Sequence, residues 1–149
     1  MEAVIFVGIQ ATGKSEFYKR NFFRTHVRIN MDMLRTRHRE NILLRACIEA
    51  KQPFVVDNTN PTPAERAKYI DAAKDAGFKV VGYYFRSVIG DALRLNEKRT
   101  GAEKVPAAGV AGTYKRLELP KYREGFDAMH YVRMTPEFEF VVEDFSDEI

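Results

Sequence analysis

One cysteine, no tryptophan and no long apolar run distinguish this chain by what it does without. A lone thiol, Cys47, cannot close an internal disulfide, and its setting in LLRACIEA is the apolar side of a helix, where a thiol serves as core filler. No stretch approaches the roughly 20 apolar residues that span a bilayer, so no membrane insertion is expected. Charge of one sign is also scarce: 24 basic against 21 acidic residues leave +3, a weak field for attracting a polyanion. With only 9 glycines and 6 prolines, no Gly/Ser/Pro linker divides the chain, and residues 1–149 are expected to form one domain. His26, His38 and His130 have no metal-ligand spacing. The opening MEAVIFVG carries an acid where a secretion signal needs basic charge, which points to a cytoplasmic location. Basic residues gather at Lys19 to Arg28, Arg35 to Arg39, Arg94 to Lys104 and Lys115 to Arg123, and the last stretch, EDFSDEI, is acidic. Each of these reads first as a solvated face.

What is present is alternation. VIFVG reads as a short buried strand, and GKSEFYKRNFF begins a helix. VRIN reads as a second strand, after which Asn30 caps a helix expected to run from Met31 to Lys51. FVVD is a third strand. Thr62-Pro63-Ala64-Glu65 supplies a cap, a first-turn proline and a capping-box acid for a helix that Gly77 ends. FKVVGYYF is a fourth strand, and Ser87 is expected to cap a helix reaching Arg99. Residues 100–126 lack strong periodicity, and MHYVRM and FEFVV are late strands. Strands alternating with helices predict an α/β fold, a mainly parallel sheet with helices on both faces.

Gly8-Ile9-Gln10-Ala11-Thr12-Gly13-Lys14-Ser15 fits G-x-x-x-x-G-K-[ST] in full, between a strand and a helix. In such a loop successive backbone N–H groups and the helix N-terminus surround phosphate oxygens. Lys14 reaches the β- and γ-phosphates, and the Ser15 hydroxyl binds Mg²⁺. ATP and Mg²⁺ are therefore the expected cofactors. A GTPase is disfavoured, because Asn96-Glu97-Lys98-Arg99 does not fit N-K-x-D. An ATPase or a kinase remains, and a kinase needs an acceptor site and a cover that excludes water.

Asp32 follows the second strand, where an ionised carboxylate can orient an acceptor hydroxyl and take its proton. Arg35, three residues on, is expected on the same helical face, and Arg37 and Arg39 are expected to face water. Asp57 ends an apolar strand and is a candidate contact to Mg²⁺ or its waters. Thr59, in Asn58-Thr59-Asn60, is placed nearest the acceptor. Arg99 opens a segment suited to a lid that carries a guanidinium to the moving phosphoryl group; Lys98 and Lys104 are weaker candidates for that field.

Over about residues 4–126 the chain resembles the kinase domain of polynucleotide 5′-kinases, which phosphorylate a 5′-hydroxyl on DNA or RNA. The resemblance rests on GIQATGKS, on NMDMLR with Asp32 and Arg35, on Asp57-Asn58-Thr59-Asn60, and on Lys98-Arg99 followed by Val105-Pro106. It implies a P-loop kinase fold with strand order near 2-3-1-4-5 and a helical lid at about 99–125. By that resemblance Lys14, Asp32 (the base) and Arg99 (the lid arginine) are the catalytic residues, and Arg35 clamps the phosphate beside the acceptor nucleotide. ATP would be held by Gly8, Gln10 to Glu16 and Arg99, the acceptor by Asp32, Arg35 and Thr59, and the metal by Ser15 and Asp57. Departures are Gln10, Ala11 and Glu16 in and after the loop and Leu95 before the lid. Tyr83, Tyr84, Tyr114 and Tyr122 are expected to pack rather than to stack on bases. The expected partner is a nucleic-acid 5′-OH end, with a small-molecule hydroxyl or a nucleotide-gated ATPase as alternatives.

Overall fold

A computed structural model describes residues 1–146; the last three residues of the acidic EDFSDEI stretch lie outside them. Five strands run in parallel in the order β2-β3-β1-β4-β5, and β6 closes one edge antiparallel to β5. They are β1 (Glu2–Val7), β2 (Val27–Ile29), β3 (Phe54–Val56), β4 (Lys79–Phe85), β5 (Ala128–Met134) and β6 (Phe140–Asp144). The helices are α1 (Lys14–Asn21), α2 (Met31–Leu34), α3 (Arg37–Ala50), α4 (Pro63–Asp75), α5 (Ile89–Glu97) and α6 (Ala107–Arg116). This is an α/β P-loop kinase fold with helices on both faces of a mostly parallel sheet.

β1 lies inside the sheet, so its side chains alternate between two buried faces and the strand reads as a continuous apolar run. Ala3, Ile5 and Val7 pack with Leu44, Cys47, Tyr69, Ile70 and Ala73 of α3 and α4. Val4 and Phe6 pack with Phe17, Tyr18 and Phe22 on the α1 side. There Phe6, Phe17, Tyr83 and Phe85 meet mainly edge to face, with Phe6 and Phe85 centroids 4.9 Å apart. Burying each such side chain contributes about 1.5–3 kcal/mol. Tyr83 and Tyr84 therefore belong to sheet packing. Tyr114 and Tyr122 are exposed.

Three local expectations need correction. The helix expected from Met31 to Lys51 is broken: Arg35 takes φ 73°, and Thr36 starts α3 by accepting from Arg39 N. Asp32 and Arg35 consequently do not share a helical face. Ser87 is not the cap of α5, which begins after Val88; its hydroxyl accepts from Ile9 N at 3.1 Å and donates to Phe85 O. Finally, α5 stops at Glu97, so Arg99 lies beyond the helix. Elsewhere the signals hold: Thr62 accepts from Glu65 N to start α4, and Asn30 accepts from Met33 N to start α2.

Candidate active site

β1 runs straight into the Gly8 to Ser15 loop, and α1 leaves it. Gly8 lies beneath the loop, where a Cβ would meet Phe85 Cβ at 2.9 Å, so only glycine lets the loop close against β4. Among the described residues no side chain caps α1, which leaves its first amides free for an anion. Thr12 Oγ1 donates to Ile9 O at 2.9 Å and stiffens the turn. Lys14 folds back over the loop, its Nζ donating to Gly8 O at 2.9 Å and Ile9 O at 2.7 Å.

A cavity of about 1130 Å³ opens over this loop. Gln10 to Glu16 line it, together with Asp32, Asp57, Thr59 and Arg99. Lys14 feels all three charged neighbours: burial lowers its pKa to about 8, Arg99 lowers it too, and Asp57 and Asp32 act in the opposite sense. Asp57 is buried at the end of β3, and its Oδ2 accepts from Ser15 Oγ at 3.0 Å. Thr59 O accepts from Gly8 N at 3.0 Å and ties the 57–60 loop to the phosphate loop.

Some predicted residues stand elsewhere. Gly8 is buried under the site without lining it, and Arg35 is exposed and does not line the cavity. Lys98 borders a neighbouring cavity, and Lys104 pairs with Glu97 at 3.3 Å. Arg37 faces water as expected, its side chain 63% exposed, while also lining the cavity and donating to Glu40 at 3.1 Å. Sequence reasoning also missed Arg28, whose Nε donates to Asp57 Oδ2 at 2.9 Å, and the buried Glu40, which accepts from Lys68 and Tyr69. Their only signal was a fit to helical or strand pattern, which solvated residues share.

The smaller cavity, about 650 Å³, adjoins the loop at Ala11 and Thr12. Leu95, Val88, Met134 and Pro136 give it apolar walls, and Arg94 and Lys98 stand among its charged lining. That combination suits a nucleobase lying beyond the phosphates.

Whether Mg²⁺ fits can be judged from the donors. Ser15 Oγ and Asp57 Oδ2 lie within contact of each other at the loop, and no group of three or more His, Cys, Asp or Glu stands ready for a metal among the described residues. One hydroxyl and one carboxylate, completed by phosphate oxygens and water, is a donor set Mg²⁺ accepts.

Residues 4–120 match the profile of the AAA domain family. The chain belongs to that family. The bifunctional polynucleotide phosphatase/kinase of Schizosaccharomyces pombe (strain 972 / ATCC 24843) is 28% identical over 132 residues, covering 84% of this chain. A protein of Acanthamoeba polyphaga mimivirus is also 28% identical, over 142 residues and 88% of this chain. This AAA-domain chain spans only 32% and 33% of the lengths of these two curated relatives. The likeness to polynucleotide kinases read from the motifs is thus found again in alignments covering 84% and 88% of this chain. Among solved structures, Kti12 of Chaetomium thermophilum in complex with ADP-AlF3 superposes with a TM-score of 0.68 at 15% identity, over 88% of each chain. A gluconokinase from Sinorhizobium meliloti 1021 gives 0.59 at 17% identity, over 88% of this chain and 81% of its own. At these identities the two structures speak for the fold.

Proposed function

We propose that this chain is a Mg²⁺-dependent kinase that moves the γ-phosphate of ATP to a hydroxyl, and that the acceptor is a nucleic-acid 5′-OH end. The observation that carries it is the convergence of Asp32 and Arg99 on Lys14 inside one cavity over the loop. A loop with Lys14 alone would serve any ATPase; a carboxylate and a lid guanidinium bearing on the same ammonium serve transfer.

The loop amides and the open end of α1 hold the phosphates, and Lys14 exchanges its loop carbonyls for phosphate oxygens. Ser15 and Asp57 would hold Mg²⁺, which when bound neutralises charge on the β- and γ-oxygens. Asp32 orients the acceptor hydroxyl and takes its proton as the acceptor oxygen bonds to the γ-phosphorus. The bond from that phosphorus to the β-bridging oxygen breaks, and ADP leaves. Arg99 balances the charge that develops on the moving group. The base of ATP fits the smaller cavity beside Leu95. The need for ATP and the buried, unpaired Cys47 suit a cytoplasmic setting.

Support for a polymer acceptor comes from the motif set, from the curated relative's kinase name, and from Arg37 and Lys68 on the cavity wall. A small alcohol is the second reading, favoured by the position of Arg35 outside the cavity lining.

The test is γ-labelled ATP offered to 5′-OH oligonucleotides, 3′-phosphorylated nucleosides and small alcohols. Label should appear on the 5′ end and fall by about 10²–10⁴-fold in Asp32→Ala. Arg99→Ala should lose about 10³-fold in kcat with little change in ATP affinity. Label on a small alcohol alone refutes the nucleic-acid acceptor; label only in free phosphate refutes the kinase.

A further inference from the structure

Arg28 is a charged group inside the site to which the proposed chemistry gives no task. It projects from β2, the edge strand, and makes two bonds there. Its Nε donates to Asp57 Oδ2 at 2.9 Å, and its Nη2 donates to Ser15 Oγ at 2.9 Å. One guanidinium therefore spans the hydroxyl and the carboxylate named above for Mg²⁺. The Asp57 side chain is 1% exposed, so its charge needs a cation whether or not nucleotide is present. Among the described residues, Arg28 alone forms an ion pair with it, while Lys14 Nζ is turned to the Gly8 and Ile9 carbonyls.

The two cations exclude each other. Mg²⁺ draws its oxygens to about 2.0–2.1 Å, inside the space that the Arg28 N–H groups fill, and its charge repels the guanidinium. Arg28 is nevertheless free to yield. Its side chain is 26% exposed, so a displaced guanidinium can turn toward water, and its contact with the Tyr18 ring, 6.0 Å to the centroid in the paired position, is at the outer limit of a cation–π interaction.

We propose that Arg28 is the resident cation of the metal position in the nucleotide-free protein. It holds Ser15 and Asp57 at binding distance and keeps free divalent metal out, and the ion enters only with the triphosphate that supplies the missing oxygens. Arg28 is thus a positioning residue that makes metal loading depend on nucleotide. The inference rests on Ser15 and Asp57 as the metal pair, and it is independent of the acceptor.

The test is Mn²⁺ binding to the nucleotide-free chain, followed by the electron paramagnetic resonance of free Mn²⁺ and by melting temperature. Wild type should bind Mn²⁺ alone weakly and gain no melting temperature from it. Arg28→Met, which removes the charge and both donors at similar length, should bind one Mn²⁺ about tenfold or more tighter and be stabilised by it. Adding Asp57→Asn should abolish that gain. Arg28→Lys, which keeps the charge but cannot bridge both oxygens, should fall between them, and it serves if Arg28→Met does not fold. Equal metal response in wild type and in the variants overturns the inference. Mn²⁺ with a non-hydrolysable ATP analogue is the control: if wild type binds it while the variants gain nothing with Mn²⁺ alone, only the role of Arg28 fails, whereas no binding at all sinks the nucleotide site itself.

Discussion

Gln10 donates from Nε2 to Thr113 Oγ1 at 3.0 Å, so the phosphate loop is fastened to helix α6. Thr113 passes the link on by donating to Gly109 O. A proline or glycine at position 10 could make no such bond, and the departure from the polynucleotide kinase pattern thereby acquires a physical use. The bond carries a cost, since Gln10 Oε1 is buried without a hydrogen-bond partner among the described residues. In Gln10→Ala the lost bond and the relieved carbonyl should nearly cancel in stability. With α6 freed from the loop, nucleotide should be released faster, by about 2–10-fold for one hydrogen bond of about 0.5–1.5 kcal/mol. Stopped-flow release of a fluorescent ADP analogue, set beside urea unfolding, checks both halves.

Lys14 gives the site a pH dependence of known sign. Burial brings its ammonium from 10.5 down to about 8; Asp57 opposes this, Arg99 adds to it, and Asp32 opposes it. Between about pH 8 and 10.5 the unfolded chain holds the proton that the folded protein has released, so this group makes the fold more stable as pH rises through that window. Nucleotide needs the charged form. Affinity for ATP should therefore fall as pH rises above about 8, and binding near that pH should take up protons. Calorimetry in two buffers of different ionisation enthalpy reads the uptake, and Lys14→Met should lose it.

The strands were legible because each is short, apolar and followed by a turn or cap signal, as in VIFVG before GKS and FVVD before NTN, whereas their order in the sheet came from the family resemblance. Capping was legible where a side chain acts within three residues, as at Asn30 and Thr62. The break at Arg35 was not, since neither glycine nor proline marks it; Thr36 was the one local clue. Ser87 misled because a hydroxyl before a helix can equally serve a distant amide, here Ile9 N. Arg28, Glu40 and Arg66 escaped for a related reason. Their partners lie 29, 28 and 58 residues away, and a charge looks solvated until the chain folds it against its mate.

Arg66 shows what such a charge is worth. Fully buried, it donates from Nε and Nη2 to Glu124 at 2.7 and 3.1 Å and from Nη1 to Asn60 O at 2.8 Å. It thereby joins the turn holding Glu124 to the loop holding Asp57 and Thr59. Arg66→Met leaves a largely buried carboxylate unpaired and should cost about 3–5 kcal/mol in urea unfolding. Pairing it with Glu124→Gln removes the stranded charge and should recover part of the loss.

Glu40 ties stability to the wall of the large cavity through one carboxylate. Burial acts to raise its pKa, but hydrogen bonds from Lys68 at 2.6 Å and Tyr69 at 2.9 Å, with the charges of Lys68 and Arg37, hold it below the ordinary 4.5. A depressed acid contributes stability that is fully present above its unfolded value and is lost as pH falls through its folded one. Melting temperature below pH 4.5 should therefore fall more steeply in wild type than in Glu40→Gln. Lys68, Arg37 and Tyr69 all line the large cavity, and Asn58 next to them accepts from Met31 N at the start of the helix bearing Asp32. Releasing them should raise KM for the proposed acceptor more than KM for ATP, because among the described residues the hydrogen bonds of Glu40 run to Arg37, Asn58, Lys68 and Tyr69 rather than to the phosphate loop. A variant in which both constants rise together would mean that Glu40 supports the fold alone and leaves the acceptor wall unaffected.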